Sequence, residues 1–108
     1  MKKYLLFFFI LVILQGAQAT APAEQPRVIR IDGIITSKKL HQVQQDLAGW
    51  KNRDPFPGGL IVLLNSPGGS GKAAIQIGRI LRQENAQTFV TGQCESACVF
   101  ILVSGVAR

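Results

Sequence analysis

The sequence predicts an α/β fold, a small parallel sheet built from alternating strands and helices. Three observations lead there. Leu60–Leu64 (LIVLL) is a continuous apolar run without alternation, the pattern of a strand covered by helices in a parallel sheet. A glycine-rich stretch, Ser66-Pro67-Gly68-Gly69-Ser70-Gly71, follows it directly and passes into a segment of helical periodicity. Strand-like and helix-like segments alternate in the order β-α-β-α-β-(α), which implies right-handed crossovers between parallel strands.

The N-terminus stands apart from this pattern. Met1-Lys2-Lys3 is a positive n-region, Leu5 to Leu14 is unbroken apolar sequence, and Ala17-Gln18-Ala19 fits an A-x-A cleavage site. The apolar run has about ten residues, against the ~20 that a membrane-spanning helix needs. Residues 1–19 are therefore expected to be a cleaved secretory signal rather than an uncleaved anchor. That predicts export across the inner membrane and a periplasmic protein. Thr20 to Pro26 reads as a disordered leader, and residues 27–108 as one small domain.

Arg27 to Asp32 has the β-branched bulk of a strand in Val28, Ile29 and Ile31, and Gly33 ends it. Thr36 or Ser37 can cap a helix whose apolar residues Leu40, Val43, Leu47 and Trp50 recur at helical spacing. The breakers of Asn52 to Gly59 predict a loop before the LIVLL strand. A second helix is expected from about Lys72 to Asn85, with Ala74, Ile77, Ile80 and Leu81 facing inward. Thr88 to Thr91 reads as a third strand. Ala97 to Val103 is apolar all round and suits either a buried helix or a strand.

Charge excludes some partners. The 108 residues carry 12 Lys and Arg against 6 Asp and Glu, a net of +6, and Lys2 and Lys3 leave with the signal. The remaining basic residues are scattered without aromatic interleaving, so no nucleic-acid surface is expected, only a mild attraction to anionic membrane surfaces. The two cysteines, Cys94 and Cys98, can be bonded to one another outside the cytoplasm or remain buried thiols; the spacing leaves both open. His41 is the only histidine, too few ligands for zinc, and neither metal nor cofactor is expected.

Two motifs carry chemistry. Asn65-Ser66-Pro67-Gly68-Gly69-Ser70 lies where a strand hands over to a helix, the place where open α/β sheets bind ligands. Adjacent glycines let successive N–H groups converge on an anion. The bland alternative is a tight turn without a ligand. A nucleotide-binding P-loop does not fit, because Ser66 stands where it needs glycine and Ala73 where it needs Ser or Thr. In Cys94-Glu95-Ser96-Ala97-Cys98, Ser96 precedes the last apolar segment. If that segment is a helix, the Ala97 N–H beside the hydroxyl suits a developing negative charge. Taken alone, Ser96 reads first as a helix cap.

Together, SPGG after an apolar strand, GQ-x-x-S-A, and an apolar segment ending in Gly105-x-x-Arg108 resemble the ClpP/crotonase superfamily. The resemblance is to the Clp protease proteolytic subunit, signal peptide peptidase A, and exported bacterial relatives with a C-x-S-A-C motif. It covers residues 28–108 but only the front half of the family's catalytic domain, so the fold is expected to be incomplete at the C-terminus. The resemblance implies peptide-bond hydrolysis, with Ser96 as nucleophile and the N–H groups of Gly69 and Ala97 as oxyanion hole. It further implies that Gly68, Gly69 and Ser70 hold an extended peptide or protein substrate, without ATP, and that the chain self-associates. Serine needs a base. The family's histidine or lysine falls beyond Arg108; His41 reads as an exposed surface histidine, and Lys72, near the glycine turn, needs desolvation before it can act as a base. The chain is therefore expected to be a fragment, inactive alone. A non-catalytic periplasmic binding or assembly module is the alternative. A crotonase-type acyl-CoA enzyme is disfavoured by export and by Ser96. The cysteines depart from Clp-type proteases, and a Cys94–Cys98 bridge would rigidify the serine turn.

Overall fold

The computed structural model describes residues 25–52 and 58–106. The expected signal at 1–19, most of the leader, and the centre of the 52–59 loop lie outside the described residues.

Three parallel strands form one sheet: β1 (Arg27–Asp32), β2 (Leu60–Ser66) and β3 (Gln87–Cys94), in the order β1-β2-β3. Helix α1 (Ser37–Lys51) joins β1 to β2, α2 (Gly71–Gln83) joins β2 to β3, and α3 (Cys98–Ser104) follows β3. Both crossovers step the same way across the sheet, so right-handed connections put α1 and α2 on one face. There α1 packs on α2, and α2 on α3. The core is a single cluster. Ile29 and Ile31 of β1 and Leu60, Val62 and Leu64 of β2 meet Val43, Leu47, Ile77, Leu81 and Ile101 of the helices. Each such side chain contributes roughly 1.5–3 kcal/mol by leaving water.

The opposite sheet face is more open than the LIVLL run implies. Register pairs Val28 with Ile61 and Leu63 with Phe89. Val28 and Phe89 are 44% and 40% exposed, and Ile61 and Leu63 are half-buried. The physical reason is the one-sided layering: alternate residues of β2 point away from the helices.

Local chemistry sets the element ends. The Thr36 hydroxyl accepts from the Lys39 N–H at 3.2 Å and caps α1. Ser70 caps α2 in the same way, accepting from the Ala73 N–H at 3.1 Å. Helix α2 stops at Gln83, short of the expected Asn85, because Asn85 turns left-handed (φ 55°) while the Ala86 N–H bonds back to the Leu81 carbonyl. Ile80, expected inward, is half-buried. Strand β3 is longer than TFVT, since pairing with β2 carries it to Cys94. The ambiguous apolar segment is a helix. Cys98 and Ile101 are buried on one side, while Val99, Phe100 and Val103 remain exposed. Thr88, the one fully buried side chain of β3, donates its hydroxyl to the Leu102 carbonyl at 2.8 Å and fixes α3 to the sheet.

Candidate functional site

Both motifs lie at the C-terminal ends of neighbouring parallel strands, SPGG after β2 and the serine turn after β3. The sheet brings them together. Ser66 pairs with Cys94 across an irregularity in the β2–β3 ladder, and the Glu95 N–H donates to the Ser66 carbonyl at 3.0 Å. Asn65 supports the irregularity by accepting from the Gln93 N–H at 3.1 Å.

The glycines are required by the backbone. Gly68 and Gly69 have φ of 110° and 144°, conformations that L side chains rarely adopt. A Cβ on Gly68 would sit 2.9 Å from the Ser96 Cβ and 3.0 Å from the Glu95 carbonyl oxygen, so the two motifs are in direct contact. Gly69 lies against the backbone of Ile35, with which it forms a parallel bridge.

One peptide unit is aimed by this packing. The Gly68 carbonyl accepts from the Ile35 N–H at 2.9 Å and from the Ser66 hydroxyl at 3.3 Å. In a planar trans peptide the next N–H points the opposite way. The Gly69 N–H is thereby turned away from the Ile35 bridge, and it has no acceptor among the described residues. The Ala97 N–H likewise has none. The other candidate substrate-holding groups are engaged. The Gly68 N–H donates to the Ser66 hydroxyl at 3.0 Å, the Ser70 N–H to the Ile35 carbonyl at 2.8 Å, and the Ser70 hydroxyl caps α2.

Ser96 is exposed, sits in the turn between β3 and α3, and has φ of 52°. A left-handed backbone is uncommon for serine and marks a turn held by its surroundings. Cys94 and Cys98 are joined by a disulfide across this turn, with Cα atoms 5.2 Å apart. His41 and Lys72 are exposed on α1 and α2. Glu95, beside Ser96, is exposed as well.

Sequence reasoning missed three supporting groups: the backbone of Ile35, the Asn65 side chain and the buried Ser66 hydroxyl. Asn65 and Ser66 lie inside the glycine-turn motif and carried a signal; Ile35 carried none. An apolar groove of about 470 Å³ between α2 and α3, lined by Ile75, Arg79, Phe100 and Val103, contains none of the motif residues.

Residues 16–108 match the Clp protease family. No curated protein matches the chain. Among solved structures, it is similar to a point variant of ClpP1 from Listeria monocytogenes, with a TM-score of 0.66 and 21% identity over 73% of this chain and 46% of that one. It is also similar to a variant of the 1510-N membrane-bound stomatin-specific protease, with a TM-score of 0.62 and 20% identity over 78% of this chain and 42% of that one. The chain thus spans less than half the length of these two structures.

Proposed function

Because this chain belongs to the Clp protease family, we propose that it carries the nucleophile and oxyanion-binding part of a serine peptidase site, in a protein exported to the periplasm. The observation that carries the reading is the meeting of the two motifs. Ser96 stands exposed at φ 52° against Gly68, beside two backbone N–H groups without acceptors, those of Gly69 and Ala97.

In this reading the Ser96 hydroxyl attacks the carbonyl carbon of a peptide substrate. The carbonyl oxygen becomes an oxyanion and accepts from the Gly69 and Ala97 N–H groups. Fixed donors of this kind need no reorganisation as charge develops, and removing one from an enzyme typically costs about 10²–10³ in rate. The Ile35–Gly68 and Ser66–Gly68 hydrogen bonds hold the Gly69 donor in aim. Extended substrate lies along Gly68–Ser70 with its scissile carbonyl oxygen on the Gly69 N–H, the Gly68 and Ser70 N–H groups being engaged within the chain. His41 and Lys72 are both exposed, and a general base needs desolvation or a partner to take the Ser96 proton, so this chain by itself is expected to hydrolyse little or no peptide. Self-association and a signal-peptide-peptidase-like export type are parts of the same proposal.

The test is covalent labelling. Purified chain is treated with a fluorophosphonate and digested, and the modified peptide is identified, with Ser96→Ala alongside. Slow labelling confined to Ser96 and abolished in the variant is expected. Labelling elsewhere would refute the assignment. A second reading, a non-catalytic peptide-binding module, is favoured by the exposure of both candidate bases, His41 and Lys72. It predicts saturable peptide binding that Ser96→Ala leaves intact, without labelling.

A further inference from the structure

The disulfide encloses Glu95, Ser96 and Ala97, the turn that holds the left-handed serine. Its two ends differ. Cys98 is the first residue of α3 and is fully buried, whereas Cys94 is the last residue of the edge strand β3 and is partly exposed. We infer that the Cys94–Cys98 bond is a redox-sensitive latch on the Ser96 turn, opened by thiol–disulfide exchange with a dithiol at the Cys94 sulfur.

Two arguments separate a latch from a general staple. First, the elements on either side are anchored without it. Strand β3 pairs with β2 from Gln87 to Val90 and again at Cys94, and the Gln93 N–H donates to the Asn65 side chain across the irregularity between them. Helix α3 is held by buried Ile101, by the Thr88 hydroxyl on the Leu102 carbonyl, and by the Val106 N–H on the Ala86 carbonyl at 2.9 Å. A loop this short removes little entropy from the unfolded chain compared with a long one. Second, the turn's other restraints are local. The Glu95 N–H donates to the Ser66 carbonyl, the Cys98 N–H to the Glu95 carbonyl, the Val99 N–H to the Ser96 carbonyl and the Phe100 N–H to the Ala97 carbonyl, while Ala97 is buried and Gly68 packs on Ser96. A non-glycine residue at φ 52° persists only while its surroundings enforce it. Releasing the covalent tie lets Ser96 leave that conformation while the sheet and helices stay folded.

The chemistry balances with one dithiol. Its thiolate attacks the Cys94 sulfur, the S–S bond breaks, and the electron pair leaves on the Cys98 sulfur, which takes a proton. The second thiol of the reductant then attacks the mixed disulfide and expels Cys94 as a thiol. The protein gains two electrons and two protons, and the dithiol becomes a disulfide. The catalytic consequence rests on the proposed role of Ser96; the latch itself does not.

The test compares the oxidised full chain with the same chain reduced by dithiothreitol under native conditions. Reduction is verified by a mass gain of two hydrogens, and amide hydrogen exchange is read residue by residue. The Glu95, Cys98 and Val99 amides are expected to exchange about tenfold faster or more after reduction, while those of Gly33 and Ala74 keep their protection. The Cys94→Ala/Cys98→Ala variant, kept in oxidising buffer, should reproduce the reduced pattern. Unchanged exchange after full reduction overturns the latch. So does resistance of the folded chain to dithiothreitol. Loss of protection at Gly33 and Ala74, or a double variant that does not fold, overturns it in favour of a staple. Fluorophosphonate labelling of the same samples should fall on reduction. Absence of labelling in both states refutes the nucleophile role and leaves the exchange result standing.

Discussion

Substituting Gly68 by alanine strikes the contact on which the site depends. At φ of 110° any side chain is strained, a cost of about 1–3 kcal/mol. The new Cβ would also press on the Ser96 Cβ at 2.9 Å and the Glu95 carbonyl at 3.0 Å, both on the serine turn. The turn must move, and its Glu95–Ser66 hydrogen bond, 3.0 Å long, is the first to break, at about 1 kcal/mol. Together these give a destabilisation of about 2–4 kcal/mol, a large part of the 5–15 kcal/mol typical of a domain. Urea unfolding followed by fluorescence of Trp50, the single tryptophan and half-buried against the core, reads this out. With an m-value of about 1 kcal/mol/M, the midpoint should fall by about 2–4 M. Fluorophosphonate labelling of Ser96 should fall in parallel. Gly71→Ala is the control, since a Cβ there meets nothing within 4 Å and the residue opens α2. A Gly68→Ala chain with the midpoint and labelling of the parent would refute the claim that the SPGG turn and the serine turn brace one another.

Three further outcomes are expected. Ser66→Ala removes the buried hydroxyl that accepts from the Gly68 N–H; leaving that amide unpaired should cost about 1–3 kcal/mol and slow Ser96 labelling, by the same two assays. Ile77→Ala empties a fully buried position between α2 and the sheet, and should lower stability by about 2–5 kcal/mol in urea melts without altering where the chain is labelled. Gly49→Ala, inside α1 with open space around its Cβ position, should raise stability by about 0.5–1 kcal/mol, seen as a higher urea midpoint.

The element order was legible because it rests on short-range chemistry. The spacing of Leu40, Val43, Leu47 and Trp50 marks α1, and the unbroken LIVLL run marks β2. The side-chain cap at Thr36 marks the start of α1. SPGG and the serine turn were legible as patterns, but not their contact through Gly68 and Ser96. Less legible were the ends that depend on neighbours. Strand β3 runs past Thr91 because β2 offers partners as far as Cys94, and α2 stops early because Asn85 turns left-handed.

Sequence by itself therefore determined which segments from β1 to β3 are strands and helices, and where the glycine turn falls. Tertiary structure alone decided that Ala97–Val103 starts a helix, that the Cys94 and Cys98 sulfurs are bonded, and that Ser96 takes φ of 52° against Gly68. It also decided that the Gly69 N–H faces away from the Ile35 bridge, an orientation enforced by a backbone group more than thirty residues upstream that carries no motif. The physical reason is range. Periodicity and capping act within a few residues, whereas the direction of a peptide plane is set by whatever hydrogen bond reaches it through the folded sheet.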